Sequence, residues 1–306
     1  MEELSEIRLW GVPGDDQIRS ASMEGMDSRA EKLENRDWAY EVVHGKFGLN
    51  VRECRAMIEK AQVFIGEPLK GVAVDLGSGI GTLAGVLTCQ PGITQVYAVE
   101  YSREHLERVM PHALPAMGAD MKKLIRCWGS FNEVAVPDNF FDIVTEFAAF
   151  HHSENLPKTM AEAYRILKPS GWLIAVENVK NAKPDHLTNA EIEALLNKAW
   201  GDKQEYGEVA EKVHTRGEWG EHVYRFCDWL HYFAAAGFES YLLRFHNYSR
   251  RSVKNLVLEV FFRLFGDTLL RRRVTGISYP SWFERGIHRV VFLCRKPQVQ
   301  SSPARR

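Results

Sequence analysis

The chain has 306 residues, of which 45% are hydrophobic and 26% are charged. These values are ordinary for a globular protein, so a disordered or fibrous chain is excluded, and the length predicts one core of about 200 residues with additions. No apolar run reaches the ~18 residues of a membrane-spanning helix, and the acidic start MEELSEIRLWG lacks the pattern of a signal peptide. We therefore expect a cytoplasmic protein.

The net charge of −1 is distributed unevenly along the chain. Residues 244–306 carry 14 basic and 3 acidic side chains, whereas residues 1–243 carry 25 basic and 37 acidic ones. A basic end on an acidic body favours an anionic partner, or it pairs with the acidic part of the same chain.

The N-terminal part contains an arm and two predicted helices. Residues 1–20 are predicted to be irregular, and residues 22–44 to be helical. Apolar residues at helical spacing predict a second helix that begins after Asn50, with Glu53 in the capping-box position, and ends at Gly66.

Short apolar runs alternate with segments of helical spacing from residue 72 onward. The predicted strands cover residues 72–76, 95–100, 124–127, 141–145, 172–176, 238–245 and 288–295, and the predicted helices cover residues 83–87, 103–110, 160–167 and 225–236. This alternation predicts an α/β fold, with a Rossmann-like, doubly wound sheet of about seven strands.

A glycine-rich turn follows the first of these strands. From Val72 to Thr82 the sequence reads VAVDLGSGIGT, and Glu100 ends the next strand, 19 residues after Gly81. Glycines let the backbone approach a ligand closely, and a carboxylate at that strand end accepts hydrogen bonds from both hydroxyls of a ribose. The spacing alone leaves a dinucleotide open, because GIGTLA from Gly79 fits GxGxxA.

Over residues 70–177 the chain resembles the class I S-adenosylmethionine-dependent methyltransferases, in particular the methyltransferase type 11 group. The matching motifs occur in the family's order. They are VDLGSGIG at 74–81, Glu100, WGSF at 128–131, VPDNFFDIV at 136–144 and YRILKPSGWL at 164–173. Residues 128–131 depart from the family in having no acidic residue, so adenine binding would rest on backbone groups and on stacking by Trp128 or Phe131.

The resemblance implies S-adenosyl-L-methionine as the cofactor, bound at the turn and at the following strand ends. Asp75 is expected to hold the ammonium side, the N–H groups of the turn to receive the carboxylate, and Glu146 to face the cofactor's cationic part or the acceptor. The predicted cofactor-binding residues are Asp75, Gly77, Ser78, Gly79, Gly81, Glu100, Tyr101, Gly129, Ser130, Phe131 and Glu146.

Two adjacent histidines, His151 and His152, follow the fourth core strand. They are the first candidates for a general base if the acceptor is a hydroxyl, whereas the resemblance favours a packing or orienting role. Adjacent side chains tend to diverge, so a shared metal is poor geometry and no metal is expected.

We divide the chain into four parts by the same resemblance. They are an N-terminal helical arm or cap (1–66), a cofactor-binding core (67–177), the rest of the core with two insertions (178–296), and a flexible tail (297–306). The insertions, residues 178–223 and 246–287, are predicted to form a lid over the acceptor, and Arg271 to Arg273 favour an acidic acceptor group.

The sequence thus predicts a methyltransferase that transfers a methyl group to an O or N atom of a small-molecule acceptor. The alternatives are a membrane-associated lipid methyltransferase, an RNA methyltransferase and a non-catalytic scaffold that binds an adenosyl ligand. Nucleic acid is not expected as a partner. Binding to a membrane surface through the apolar helix predicted at 255–265 is possible but is not favoured. The formation of a homodimer is also possible.

Overall fold

The computed structural model describes residues 6–10, 37–38, 51–153, 155–180, 222, 224, 226–243 and 287–298. Within them, the strands are β1 (Arg8–Leu9), β2 (Gly71–Leu76), β3 (Ile93–Glu100), β4 (Leu124–Trp128), β5 (Phe141–Phe147), β6 (Leu167–Lys180), β7 (Glu239–Leu243) and β8 (Ile287–Arg295). The α-helices are α1 (Val51–Ile65), α2 (Thr82–Thr88), α3 (Met110–Ala116), α4 (Leu156–Ile166) and α5 (Phe226–Ala236). A π-helical stretch (His105–Val109) leads into α3, and 3₁₀ turns cover Met121–Lys123 and Phe150–His152.

These strands form one eight-stranded sheet in the order β1-β4-β3-β2-β5-β6-β8-β7. Strand β8 is antiparallel to both of its neighbours, and the other pairs are parallel. The order reverses at β2, so the strands that follow lie on either side of it, as in a doubly wound fold. The predicted α/β class is confirmed.

The parallel strands are buried on both faces, which explains their continuous apolar runs. One face packs against α1, α2 and α3 through residues such as Ala73, Val96 and Ile174, and the other packs against α4 and α5 through residues such as Val74 and Leu173. The ends of the parallel strands meet at one side of the sheet, which we call the carboxyl edge.

The predicted second helix and its end are confirmed. Helix α1 covers Val51–Ile65, and Gly66 follows with a φ of 87° while its N–H donates to the carbonyl of Gln62. A left-handed glycine at this position is the usual way to end a helix. The helices predicted at 22–44, except for residues 37–38, and at 255–265 lie outside the described residues.

The structure differs from the sequence prediction in the N-terminal arm. Arg8 and Leu9, predicted to be irregular, pair with Cys127 and Trp128 of β4 as a short parallel strand. Trp10 then stacks on Tyr97 at 5.3 Å between ring centroids. Two residues are too few to show an alternating pattern, and this strand forms because the edge of β4 offers backbone partners.

Strand β6 also differs from its predicted bounds. It begins at Leu167 and continues to Lys180, where it pairs with Ile287, so the predicted boundary at residue 178 falls inside a strand. The antiparallel partner β8 extends the strand beyond its parallel neighbour β5. None of the helices in the described ranges has the length and apolar character needed to cross a bilayer.

Candidate cofactor site

The glycine turn lies at the carboxyl end of β2, and its glycines have different surroundings. Gly77 has a φ of 70°, and a Cβ there would lie 2.5 Å from the Cβ of Ala149. Gly79 has a φ of 56°, and a Cβ there would meet no atom within 4 Å. A side chain at Gly81 would press on Leu114 instead. Gly79 is therefore the glycine of this motif that faces open space, where a ligand can approach the backbone.

The backbone N–H groups of this turn already have acceptors within the chain. Gly77 and Ser78 donate to the carbonyl of Val99, Gly81 donates to the carbonyl of Ser78, and the Ser78 hydroxyl donates to the carbonyl of Asp75. The expectation that these N–H groups receive the cofactor's carboxylate is therefore not supported for Gly77, Ser78 and Gly81. At Gly79 the turn provides space in which a ligand can approach the backbone.

Glu100 is only 5% exposed and holds the turn from the end of β3. One carboxylate oxygen accepts the N–H of Gly79 at 2.6 Å, and the other accepts the N–H groups of Tyr101 and Ser102 at 2.9 Å each. These hydrogen bonds fix the carboxylate beside the open side of Gly79. A carboxylate in this place is suited to the two hydroxyls of a ribose, because each of its oxygens has more than one acceptor direction.

Asp75 is buried at the end of β2 and binds two neighbouring elements. One of its oxygens accepts the hydroxyl of Thr145 at 2.8 Å, and the other accepts the N–H of Ala84, in the first turn of α2, at 3.1 Å. Burial raises the pKa of Asp75 to about 6, although these hydrogen bonds oppose the shift. A nearby cationic group of a ligand would favour the ionised form.

The segment predicted to contact adenine is attached to Glu100 and to the N-terminal arm. Gly129 donates its N–H to the carbonyl of Glu100 at 3.1 Å, and a Cβ at Gly129 would lie 3.0 Å from Trp10. The hydroxyl of Ser130 accepts the N–H of Asn132. Phe131 lies beside the glycine turn, since a Cβ at Gly77 would be 3.6 Å from its ring.

Trp128, the other stacking candidate, has partners of its own. Its indole N–H donates to the carbonyl of Tyr101 at 2.9 Å, and the guanidinium of Arg103 lies 5.3 Å from its ring centroid. Phe131 thus lies beside the glycine turn, and its ring packs on Phe150 at 5.7 Å between centroids.

Glu146 is fully buried at the carboxyl edge, near the end of β5. Its Oε2 accepts the N–H groups of Ala149 and Phe150, whereas its Oε1 has no hydrogen-bond partner among the residues that the structure describes. Burial raises the pKa of Glu146 well above its usual value, and the negative charge of Glu177 adds to the shift. The unpartnered oxygen is suited to a donor or cationic group of a ligand.

The two histidines have different partners. His151 donates its backbone N–H to Glu177 at 3.1 Å, and its Nδ1 lies 2.8 Å from the other carboxylate oxygen of Glu177. His152 is half-buried and its ring stacks on that of His151, with centroids 4.2 Å apart. The two rings thus do not diverge as expected, and the ring of His151 is held by Glu177.

Four buried carboxylates stand near the ends of adjacent strands: Asp75, Glu100, Glu146 and Glu177, each at most 5% exposed. Acidic groups are suited to the sulfonium and ammonium of S-adenosylmethionine, because a nearby cation favours the ionised carboxylate. The residues present therefore fit this cofactor, with Glu100 for the ribose, the open side of Gly79 for close approach and the acids for the cations. Among the described residues, no group of three or more His, Cys, Asp and Glu side chains could hold a metal ion.

Sequence reasoning missed Glu177 and Thr145. Glu177 follows the apolar run LIAV, as Glu100 follows YAV and Asp75 follows VAV. The rule that selected Glu100, an acid at the end of a buried strand, would have selected Glu177 as well. Thr145 carries no such signal, because its contact with Asp75 depends on the pairing of β2 with β5.

Comparison with known proteins supports a methyltransferase domain in this chain. Residues 74–175 match a family model described as "Methyltransferase domain". The chain is 24% identical over 204 residues to Sterol methyltransferase-like 1 of Botryococcus braunii, a match that covers 60% of this chain and 51% of that protein. It is 27% identical over 136 residues to the ubiquinone/menaquinone biosynthesis C-methyltransferase UbiE of Desulfotalea psychrophila, covering 44% of this chain and 51% of that protein.

The chain thus spans about half the length of these curated relatives. Among solved structures, phosphoethanolamine N-methyltransferase 2 of Haemonchus contortus, in complex with S-adenosyl-L-methionine, has a TM-score of 0.56 at 16% identity. That similarity covers 91% of this chain and 60% of the other, and it supports the fold.

The matched family model begins at Val74 in β2 and ends at Ala175 in β6. It therefore includes the glycine turn, Glu100, Glu146 and both histidines in one stretch of sequence. This match decides between the two ligands that glycine spacing alone left open. Residues 74–175 therefore form a methyltransferase domain of the class I, S-adenosylmethionine-dependent kind, whose cofactor is S-adenosyl-L-methionine.

Proposed function

We propose that this protein transfers a methyl group from S-adenosyl-L-methionine to an O or N atom of a small organic acceptor. The observation that carries the proposal is the carboxyl edge, where the open side of Gly79 lies beside Glu100 and three further buried acids stand near the ends of the neighbouring strands. The cofactor, when bound, supplies the methyl group on a sulfonium. We place the protein in the cytoplasm as part of the same proposal.

The chain's own residues would bind and orient the cofactor and would exclude water from the site. Glu100 would hold the ribose, and Phe131 would cover the adenine, so the methyl group is fixed in one direction. Alignment of the two reacting atoms contributes most to a displacement of this kind. His151 would stand on the acceptor side, where Glu177 fixes its ring.

The insertions are proposed to cover the acceptor, because their ends meet the site. Lys180 and Ile287 pair with each other at one end of β6, and β7 runs parallel to β6, so Leu243 ends at the same side. The first insertion returns at His222, whose N–H donates to the carbonyl of His151 at 3.3 Å. The interiors of both insertions, including Arg271 to Arg273, lie outside the described residues, and an acidic acceptor group stays a prediction.

A carbon acceptor is the second candidate, and the names of the curated relatives favour it. One is called a sterol methyltransferase-like protein and another a C-methyltransferase of quinone biosynthesis. An apolar acceptor of that kind would need a drier pocket and fewer polar contacts than an amine or a hydroxyl.

The test is to follow a labelled methyl group. Saturating S-adenosylhomocysteine at about 100 times its dissociation constant should stabilise the protein by roughly 2.7 kcal/mol, and NAD should not. With methyl-tritiated S-adenosylmethionine and a cell extract, the label should then appear in polar compounds of low mass. Label in RNA or in the lipid fraction would support the alternative acceptors, and binding without any transfer would support a non-catalytic scaffold.

The pKa of Asp75 predicts that cofactor binding releases a proton near pH 6. In the free protein the pKa is raised to about 6, so the carboxyl is partly protonated at that pH. A bound cation favours the ionised form and lowers the pKa, so binding releases a proton and affinity rises with pH between about 5 and 7.

Calorimetry at pH 6 in two buffers of different ionisation enthalpy measures this release. The Asp75→Asn variant should lack it. Equal proton release in this variant would assign the titration to another group, Glu146 being the nearest candidate with a raised pKa.

A further inference from the structure

A cluster of two buried hydroxyls and one amide connects two segments of the candidate site with α4. We call residues 129–132 the adenine segment and residues 149–153 the histidine loop. The cluster contains Asn132 of the adenine segment, Ser153 of the histidine loop and Thr159 of α4. Ser153 and Thr159 are each 0% exposed, so their hydroxyls depend on partners within the protein.

The polar atoms of these three side chains lie within hydrogen-bonding distance of one another. Oγ1 of Thr159 is hydrogen-bonded to Oδ1 of Asn132 and lies 2.6 Å from Oγ of Ser153. Oγ of Ser153 lies 3.4 Å from the same oxygen of Asn132. Each hydroxyl has one hydrogen, so when both hydrogens are used within the cluster, at least one of them goes to Asn132. The adenine segment is therefore bonded to both of the other parts.

The histidine loop is bonded internally and is joined to α4. The backbone N–H groups of His152 and Ser153 donate to the carbonyls of Ala149 and Phe150, at 3.0 Å each. The hydroxyl of Ser153 accepts the N–H of Asn155, the N-cap residue of α4, at 3.1 Å. The loop and the start of this helix therefore form one bonded unit.

The adenine segment and the histidine loop also meet through an apolar contact. The rings of Phe131 and Phe150 lie 5.7 Å apart between centroids. Apolar contacts have no fixed direction, whereas hydrogen bonds require particular distances and angles. The polar cluster, rather than the ring contact, therefore fixes the position of one segment relative to the other.

The cluster links the opening of the two segments to solvent. When the adenine segment opens, the buried hydroxyls of Thr159 and Ser153 lose the oxygen of Asn132 that accepts from them. Buried polar groups without a partner are costly, so this loss favours opening of the histidine loop as well. Parts joined in this way open as one cooperative unit. A ligand that binds only the closed adenine segment then also slows the opening of the loop.

We propose that Thr159 is a positioning residue that makes the histidine loop close together with the adenine segment, so that cofactor binding prepares the acceptor side of the site. This inference rests on the proposed function, which places the acceptor beside His151. The effect extends to the first insertion, because His222 donates its N–H to the carbonyl of His151 at 3.3 Å.

Thr159→Val tests the hydroxyl with little change of shape. Valine keeps the branched side chain and a similar preference for the helix, but it has no hydrogen-bonding group. The variant loses the bonds to Asn132 and Ser153, together with a contact of 3.3 Å to the carbonyl of Asn155 within α4. The ring contact between Phe131 and Phe150 stays in place.

Hydrogen exchange with and without S-adenosylhomocysteine measures the link. Fragments that cover residues 129–133 and 149–153 are followed by mass spectrometry, with the ligand at about 100 times its dissociation constant for each variant. In the wild type, exchange should slow by about 100-fold in the first fragment and by at least roughly 10-fold in the second. In Thr159→Val the first fragment should still slow, whereas the second should change by less than about threefold.

Two further variants test whether the hydroxyl itself is responsible. Thr159→Ser keeps the hydroxyl and should restore the ligand-dependent protection of the histidine loop. Ser153→Ala removes the other hydroxyl of the cluster and should repeat the result of Thr159→Val, so it serves as the test if the valine variant does not fold.

Thr88→Val is the matched control. Thr88 is also 0% exposed on a helix, and its hydroxyl donates to the carbonyl of Gly85 at 2.7 Å and accepts the N–H of Asp120 at 2.9 Å. This change removes a buried hydroxyl away from the cofactor site. It should lower the melting temperature while the ligand protects both fragments as in the wild type.

Two results would overturn the proposal in a chain that binds S-adenosylhomocysteine. One is a wild-type histidine loop whose exchange does not slow with the ligand. The other is equal protection of this loop in the wild type and in Thr159→Val, which would assign the link to the ring contact. Calorimetry separates both results from a failure of the proposed function, since a chain that does not bind the ligand releases no heat of binding.

Discussion

Gly79→Arg is expected to abolish measurable binding of S-adenosylmethionine while the protein stays folded. Gly79 is next to Glu100, and its missing side chain points into open space, with no atom within 4 Å of an added Cβ. An arginine there would fill the path of the cofactor and place a guanidinium among the buried acids that would otherwise attract the sulfonium. We expect affinity to fall by about 100-fold or more, which corresponds to at least roughly 2.7 kcal/mol.

Gly118→Arg is the matched control for this variant. Gly118 also has a positive φ, 72° against 56° at Gly79, and a Cβ there also meets no atom within 4 Å. Both substitutions therefore add the same charge and a similar backbone strain of about 1–2 kcal/mol. Gly118 follows α3 and precedes β4, at the side of the sheet away from the cofactor site. If calorimetry finds equal losses of affinity in both variants, strain rather than blockage is the cause.

Glu100→Ala is expected to weaken cofactor binding by about one to two orders of magnitude. The carboxylate makes charge-assisted hydrogen bonds, each worth roughly 1.5–3 kcal/mol, and alanine removes them all. The structure gives a second reason for weaker cofactor binding in this variant, because Glu100 also accepts the N–H groups of Gly79, Tyr101 and Ser102. The variant would then also release the turn, and melting should occur at a lower temperature.

A cofactor analogue separates the loss of ribose recognition from the release of the glycine turn. 2′-Deoxy-S-adenosylhomocysteine lacks one ribose hydroxyl and should bind the wild type more weakly than the parent compound does. In Glu100→Ala the two compounds should bind equally, since the group that recognises the hydroxyl has gone. A difference that persists unchanged in the variant would mean that Glu100 supports the turn without contacting the ribose.

The cofactor half of the site could be predicted because its residues are local in sequence. The turn at residues 77–81 connects β2 to α2, and Glu100 is the last residue of the next strand. Parallel strands joined by one helix lie side by side, so two consecutive strand ends meet without further information. The continuous apolar runs likewise indicated buried strands, and the strand positions agree with the structure to within a few residues.

The roles of individual groups in this half depended on the tertiary structure. Sequence could not show that the N–H groups of Gly77 and Ser78 bind Val99, because that contact requires β3 to lie beside β2. It also could not separate Gly79, which faces open space, from Gly77, which packs on Ala149 of a distant loop. Both glycines belong to the same short run, GSGIG, which by itself does not separate their roles.

What the sequence by itself determined is therefore the fold class and the place of the cofactor-binding turn with Glu100, since these depend on periodicity and on residues within about 30 positions of one another. Only the tertiary structure showed that His151 contacts Glu177. His151 and Glu177 are 26 residues apart and belong to separate elements. Their contact exists because β5 pairs with β6 in one particular register, and register is a property of packed strands rather than of either strand alone.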